Sequence, residues 1–192
     1  MRSDAKRQKY LMIENAAYRL MLERGYEGTS MLNIAKAANA SNQTLYRWFG
    51  DKQGLFEKMV EENAEAISQE LTVAIDNDLD PFICLRKVAP MLLAMLLDEK
   101  AILLNRAAAC DTSGRLGKVL AEKGRNTVAP LLQQIIGRCF SASGNRQEIT
   151  EIFLSLLIGD LQIRRATGAL EHVSLEEIQA RSDRAIEIVS NL

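Results

Sequence analysis

Histidine is almost missing from this chain. His172 stands alone, and Cys84, Cys110 and Cys139 are odd in number, widely spaced and never joined in a Cys-x-x-Cys pair. Tetrahedral metal sites draw on just these residue types, so no metal is expected. Set among apolar neighbours, the thiols are expected to be buried or idle. Catalytic signatures are lacking as well: there is no Gly-x-Ser-x-Gly, no phosphate-binding Gly-x-x-x-x-Gly-Lys, no Gly-x-Gly-x-x-Gly and no His-Glu-x-x-His. Neither an enzyme nor a bound cofactor is indicated. The longest apolar run, Ala89 to Leu97, is far shorter than the ~20 residues that span a bilayer. The charged N-terminus carries no apolar signal core. A soluble cytoplasmic protein with no membrane partner is the expectation.

What is present is ordinary globular composition with an uneven charge. Of the 192 residues, 47% are hydrophobic and 26% charged, which argues against disorder. Residues 1–54 hold nine Lys/Arg against five Asp/Glu, whereas the remainder holds 15 against 20. A basic head on an acidic body suits contact between the head and a polyanion.

Helical spacing runs through nearly the whole chain, and the fold class is all-α. Ile13, Ala16, Ala17, Leu20 and Met21 make one stripe, predicting a first helix over about residues 5 to 24 that Gly25 stops. Thr29 or Ser30 caps a second helix with Ile34, Ala35 and Ala38 facing inward. Asn39 sits where the chain needs a left-handed residue. Ser41 caps a short third helix, Gly50 ends it, and Asp51 caps a long fourth helix reaching about Ile75. Asp80-Pro81 starts a fifth. Further helices are predicted over roughly 100 to 110, 113 to 140 and 147 to 167, with Pro90 and Pro130 each expected to kink or divide the helix it interrupts. A loop over Ser141 to Asn145 intervenes, and Ser174 with Glu177 forms a capping box for the last helix.

Two helices joined by a short turn, with a small Ala at their contact and an αL-tolerant residue between them, describe a helix-turn-helix. The second helix of such a unit offers its first residues to base edges in the major groove. The third helix has suitable side chains. Asn42, Gln43 and Thr44 carry neutral donors and acceptors that can read a base edge. Arg47 can pair with guanine or with a phosphate. The Tyr46 hydroxyl can bond a phosphate, and Lys52 lies at a helix N-terminus that already favours an anion. Leu45, Phe49, Leu55 and Phe56 read as core.

The stretch GYEGTSMLNIAKAANASNQTLYRWFGDKQGLF, residues 25–56, resembles the DNA-binding domain of TetR-family transcriptional regulators. The likeness covers roughly residues 10 to 60 and rests on Thr-Ser-Met-x-x-Ile-Ala, the Ala-x-x-Ser turn, Thr-Leu-Tyr-x-x-Phe and Lys-x-x-Leu-Phe, in order. It implies a helix-turn-helix DNA-binding domain over 1–54 and a helical regulatory and dimerisation domain over 55–192. The implied function is that of a ligand-responsive repressor binding a palindromic double-stranded operator as a homodimer. Position by position, Ser30, Tyr46 and Lys52 fall where the family contacts phosphate, and Asn42, Gln43, Thr44 and Trp48 fall in or beside the base-reading region. Trp48 reads equally as packing against its neighbouring helices. Asn39 stands where the family commonly has Gly, and Gln43 where a small residue is common.

The body resembles the family less specifically. Phe153 to Arg165 is similar to the penultimate helix of a family subgroup, whose last two helices pair with their copies. Ile152, Leu156, Gly159 and Ile163 make one face, with Gly159 allowing close approach, and Ile178, Ala185, Ile186 and Val189 extend it on the last helix. Asp160 and Arg164 form an i,i+4 pair at the rim. An effector pocket is expected from Met91, Met95, Leu103, Leu104, Leu132, Ile136 and Phe153, with Arg106, Asp111 and Arg115 as polar anchors. An aromatic-poor composition favours an aliphatic or amphipathic effector.

Overall fold

The N-terminal turns form where the local chemistry of capping demands. In the computed structural model, which describes residues 2–140 and 145–191, α1 (Arg2–Arg24) ends at Gly25, whose φ is 71°. α2 (Met31–Ala37) is capped by Ser30 and not by Thr29, whose hydroxyl instead donates to the carbonyl of Gly25 at 2.8 Å. α3 (Asn42–Phe49) follows a turn in which Asn39 takes φ 47°. Asp51 caps α4 (Lys52–Asp76), and Asp80 with Pro81 opens α5 (Pro81–Leu97). α6 (Glu99–Cys110) and the short α7 (Arg115–Val119) lead into a π segment, Leu120–Arg125, which continues as α8 (Asn126–Cys139). α9 (Arg146–Ile158), α10 (Leu161–Thr167) and α11 (Leu175–Ser190) complete the described chain, α11 with its full Ser174–Glu177 capping box. Four of the five residues of the expected 141–145 loop, 141–144, lie outside the described residues.

Two apolar cores organise these helices. The first gathers α1, α2 and α3 around Ile13, Ile34, Leu45 and Phe49, and includes Leu55, Phe56, Met59 and Val60 from the first turns of α4. Leu104, Ala107, Leu116 and Val119 of α6 and α7 close it from the side of the body. The second core begins at Ala64 and runs through α4, α5, α8, α9 and α11. α4 is thus one rigid rod with its N-terminal half in the head and its C-terminal half in the body. At about 1.5 Å per residue it spans both.

Two helices differ from their predicted form. Pro130 lies inside α8, which runs unbroken from Asn126 to Cys139, and the irregularity lies instead in the preceding π segment, Leu120–Arg125. The helix predicted over 147–167 breaks at Gly159, which has φ 50° and closes α9 through its N–H to the carbonyl of Ser155 at 2.9 Å. The guanidinium of Arg181 occupies the space a Cβ at 159 would take. Gly159 is therefore a helix stop and not a close-packing site within a continuous helix. Among the described residues no helix is long and apolar enough to cross a membrane.

Candidate nucleic-acid interface

Ser41 fixes the start of α3. Its Oγ accepts the N–H of Thr44 at 3.0 Å and lies 2.8 Å from the Thr44 hydroxyl. Leu45 and Phe49, four residues apart, are buried at 0% and 7% exposure and anchor one face of the helix. The opposite face is left to solvent: Asn42, Gln43, Tyr46 and Arg47 are all exposed, Tyr46 by half. A short helix held by two apolar anchors and a side-chain cap presents its polar face with little freedom of tilt. Thr44 is half-buried, and its hydroxyl is engaged by Ser41.

Beside α3 stand the hydroxyl and the ammonium that the sequence marks for phosphate. Ser30 is exposed, with its Oγ accepting the N–H of Asn33 at 3.2 Å. Lys52 is half-buried: Nζ donates to the carbonyl of Tyr26 at 3.0 Å, sits 4.1 Å from that ring's centroid and 3.8 Å from Glu27. An ammonium has three donors, so this tether leaves others free. Burial, with Glu27 beside it, pushes the Tyr26 hydroxyl up to about 12. Trp48 is half-buried against Phe49, ring centroids 6.3 Å apart, with the Lys6 ammonium 5.9 Å above its own ring. It packs between α1 and α3 while keeping part of its edge in water.

Two contributors were not read from the sequence. Gly54 lets the N-terminus of α4 lie against the end of α3, since a Cβ there would stand 2.0 Å from the carbonyl oxygen of Phe49. Lys6 brings a cation from α1 to the edge of α3 through Trp48. The basic N-terminus was the available signal for Lys6; for Gly54 there was none, because close approach is a property of packing.

A helix-turn-helix so presented finds matches among known proteins. The family model described as "Bacterial regulatory proteins, tetR family" matches residues 13–59. A solved structure from Mesorhizobium loti MAFF303099, assigned to the TetR-family transcriptional regulators, is similar over 95% of each chain, with a TM-score of 0.75 and 25% identity. Residues 13–59 are a TetR-family DNA-binding domain, and the whole chain is similar in fold to TetR-family regulators. The flavonoid-responsive regulator FrrA is similar over 96% of both chains, with 26% identity and a TM-score of 0.66. The HTH-type transcriptional regulator YvkB of Bacillus subtilis (strain 168), itself uncharacterized, is 38% identical over 52 residues, 27% of this chain and 28% of that protein. That match spans little more than a quarter of the relative's length.

In the helical body a cavity of about 770 Å³ opens between α4, α5, α6, the π segment, α8, α9 and α10. Of the residues expected there, Met95, Leu104 and Leu132 line it. The others are placed elsewhere. Ile136 and Phe153 are wholly buried in the body core, Met91 packs at its edge, and Leu103 packs against the head. Arg106 is spent on the end of α10, donating to the carbonyls of Ala166 at 2.7 Å and Arg165 at 3.1 Å. Asp111 organises its own loop, accepting from the Ser113 hydroxyl at 2.6 Å, the N–H of Leu116 at 2.8 Å and the N–H of Ser113 at 3.0 Å, bonds that hold its carboxyl below the usual range. Arg115 donates to Ser113 in the same loop. The polar wall of the cavity comes instead from Asn63, Asn105 and Gln162, with Arg125, Glu151 and Ser155, whose hydroxyl donates to the carbonyl of Glu151 at 2.7 Å. These residues lie on five separate elements and share no sequence motif.

The expected dimer face is also redistributed. Ile178, Ala185, Ile186 and Val189 are buried within the chain, at 6%, 1%, 5% and 1% exposure, where α11 packs on α5 and α9. Their surface is used by the chain's own core. Ile152 and Leu156 are half-exposed, Ile163 is 61% exposed, and Asp160 pairs with Arg164 at 3.9 Å. Of the thiols, Cys84 is buried, Cys139 is half-buried and pushed up to about 12, and Cys110 is exposed, contrary to its apolar sequence neighbourhood.

Proposed function

We propose that this protein is a ligand-responsive transcriptional repressor that binds a partly palindromic DNA operator as a homodimer. The observation that carries the reading is the outward face of α3. Asn42, Gln43, Tyr46 and Arg47 stand in solvent while Leu45 and Phe49 fasten the helix beneath them. Asn42 and Gln43 read base edges, and Arg47 reads guanine or grips phosphate. Ser30, Tyr46 and Lys52 hold the flanking phosphates, Lys52 exchanging its 3.8 Å approach to Glu27 for the stronger anion. Thr44 and Trp48 support the helix and lie beside the bases. Residues 1–54 with the first turns of α4 act as the head and the remainder as the regulatory and dimerisation body, with Ile152, Leu156 and Ile163 as apolar contacts between copies. A dimer sets its two heads about 34–36 Å apart, one DNA turn.

The response to ligand follows from one juxtaposition. Leu120, Ala121, Gly124 and Arg125 of the π segment line the cavity, and Lys123 of the same segment reaches Glu61 at 3.3 Å and Glu57 at 3.7 Å on α4. The segment therefore touches both the ligand space and the rod that carries the head. A ligand that prefers a different setting of this segment shifts α4 and weakens operator binding by its differential affinity, and by no more. That FrrA is a flavonoid-responsive regulator supports a small-molecule response in this fold.

Selection of bound duplexes from random DNA tests the core of the proposal. A palindromic consensus with two half-sites about one turn apart is expected, together with a binding constant that falls steeply with salt. Recovery of no preferred sequence by the intact chain overturns it. A promoter–reporter fusion carrying that consensus then separates repression from activation.

A further inference from the structure

The cavity walls specify the chemistry of what enters. We infer that the ligand is an uncharged, non-aromatic molecule with an aliphatic body and hydrogen-bond donors, held by the amide oxygens of Asn63, Asn105 and Gln162. The inference rests on the regulatory reading above and gives its ligand a class.

No aromatic residue lines the cavity among the described residues; the apolar wall is built from aliphatic side chains such as Leu92, Met95, Leu104, Leu132 and Leu154. A flat aromatic ligand would find no ring to stack on. The three carboxamides are oriented by what they already touch. Nδ2 of Asn105 donates to the carbonyl of Ala101 at 2.8 Å, and Nε2 of Gln162 to the carbonyl of Leu96 at 3.1 Å. Carbonyls only accept, so the amide nitrogens must face them. Nδ2 of Asn63 likewise faces the sulfur of Met95 at 3.1 Å. No donor among the described residues meets the three amide oxygens, which reach water-accessible space and can exchange water for a donor on the ligand. Charge gives no preference for an ion. The two charged residues of the lining, Arg125 and Glu151, are opposite in sign and both exposed at its margin. An ionised head driven past them into the aliphatic interior loses its hydration without a partner.

Four probes separate the possibilities in calorimetric titration of the full-length protein, below their micellar concentrations: 1-dodecanoylglycerol (neutral, two donors), methyl dodecanoate (neutral, no donor), dodecanoate (anionic) and naringenin (flat, aromatic). The expected order puts 1-dodecanoylglycerol at least about tenfold tighter than each of the others, the difference of one to two hydrogen bonds. Asn105→Leu with Gln162→Met should bring the glycerol ester down to the methyl ester's affinity; each single variant, checked by circular dichroism melting, guards against a fold defect in the pair. Tighter binding of dodecanoate or naringenin, equal binding of the two esters, or folded variants that keep full preference each overturn the assignment. Operator release is read separately by fluorescence anisotropy. If 1-dodecanoylglycerol binds as expected but leaves the duplex bound, the ligand class stands and the regulatory reading fails.

Discussion

The ammonium of Lys100 on α6 stands 3.9 Å from the carboxylate of Glu14 on α1, joining body to head across a buried seam. Glu14 is 5% exposed at its side chain and Lys100 is 43% exposed, so one partner is desolvated and the other is not. The Lys100 ammonium also lies 5.0 Å from the ring of Tyr18, and the hydroxyls of Tyr10 and Tyr18 nearby have no hydrogen-bond partner among the described residues. Burial raises the Glu14 carboxyl above its ordinary range, Lys100 opposes that in part, and Glu62 adds to it. Arg7, paired with Glu62 at 2.8 Å, also opposes the rise, by less than Lys100 does.

A pH dependence with a definite sign follows. A carboxyl whose folded pKa is raised binds a proton more readily in the folded state, so the folded state gains as pH falls through that raised value toward the unfolded one. Ionised Glu14 is the costly form. Glu14→Gln is therefore expected to raise Tm at pH 8 relative to wild type, with the difference shrinking as pH drops toward 5. Parallel melts of both proteins across that range check it. A Glu14→Gln protein that melts below wild type at pH 8 would mean that the Lys100 pairing outweighs the burial.

On α3 the test is the salt dependence of DNA binding. For every phosphate that a cationic side chain ceases to neutralise, the slope of log K against log salt becomes shallower by about 0.9. Tyr46→Phe removes a neutral hydroxyl from a half-exposed ring, so it should weaken binding on every duplex alike and leave the slope unchanged. Arg47→Ala should cost about 1–3 kcal/mol on the preferred duplex if the guanidinium reads a guanine, and then relaxes specificity at one position. A shallower slope with specificity intact would instead assign Arg47 to a phosphate. Circular dichroism and light scattering should leave both variants indistinguishable from wild type. Anisotropy titrations over a series of KCl concentrations supply the slopes.

Ser41 connects stability to that same helix. Its Oγ holds the N–H of Thr44 and contacts the Thr44 hydroxyl. Ser41→Ala leaves an orphan donor at the N-terminus of an eight-residue helix and should cost about 1 kcal/mol. For a chain of this size that is a fall of about 2–4 °C in Tm. Operator affinity should fall with it, since α3 frays where it reads.

What the sequence made legible here was local. Ser30, Ser41, Asp51, Asp80 and Ser174 announce helix starts through side chains that bond backbone within three residues, and Asn39 and Gly25 announce stops through one dihedral angle each. The exposed face of α3 was equally legible because two apolar anchors at i and i+4 fix its rotation. The cavity was not. Whether Leu132 or Ile136, one helical turn apart on α8, faces empty space depends on how α4, α5 and α9 pack around them, and the two residues are alike in periodicity. Arg106 looked like an anchor for a ligand because no local partner was visible; its partners are about 60 residues away on α10. The apolar stripe of α11 was real, but periodicity cannot say whether such a stripe meets its own chain or a copy.

The π segment offers a test of coupling apart from stability. Lys123 is paired with Glu61 and Glu57 across a solvent-accessible gap, and such pairs contribute little to folding. Lys123→Ala should leave Tm within about 2–4 °C of wild type. It should reduce the ratio of operator affinities measured without and with a compound that releases the duplex. An unchanged ratio would place the transmission elsewhere along α4.

Gly159 decides whether α9 and α10 are two helices or one. Its φ of 50° lies where side chains are rarely tolerated, and an added Cβ would stand 2.3 Å from Nη2 of Arg181. Those are separable costs. The guanidinium can move, at the loss of its Nε–H bond to the carbonyl of Leu157 at 2.7 Å, whereas the dihedral strain stays with the backbone. Gly159→Ala should therefore destabilise by about 1–3 kcal/mol. Arg181→Ala added to it should recover only part of that, because the clash disappears and the strain remains. Urea denaturation midpoints of the two single variants and the double variant form the cycle. If Gly159→Ala unfolds at the wild-type midpoint, an alanine is tolerated there, and the break between α9 and α10 is imposed by packing around residue 159 and not by the glycine itself.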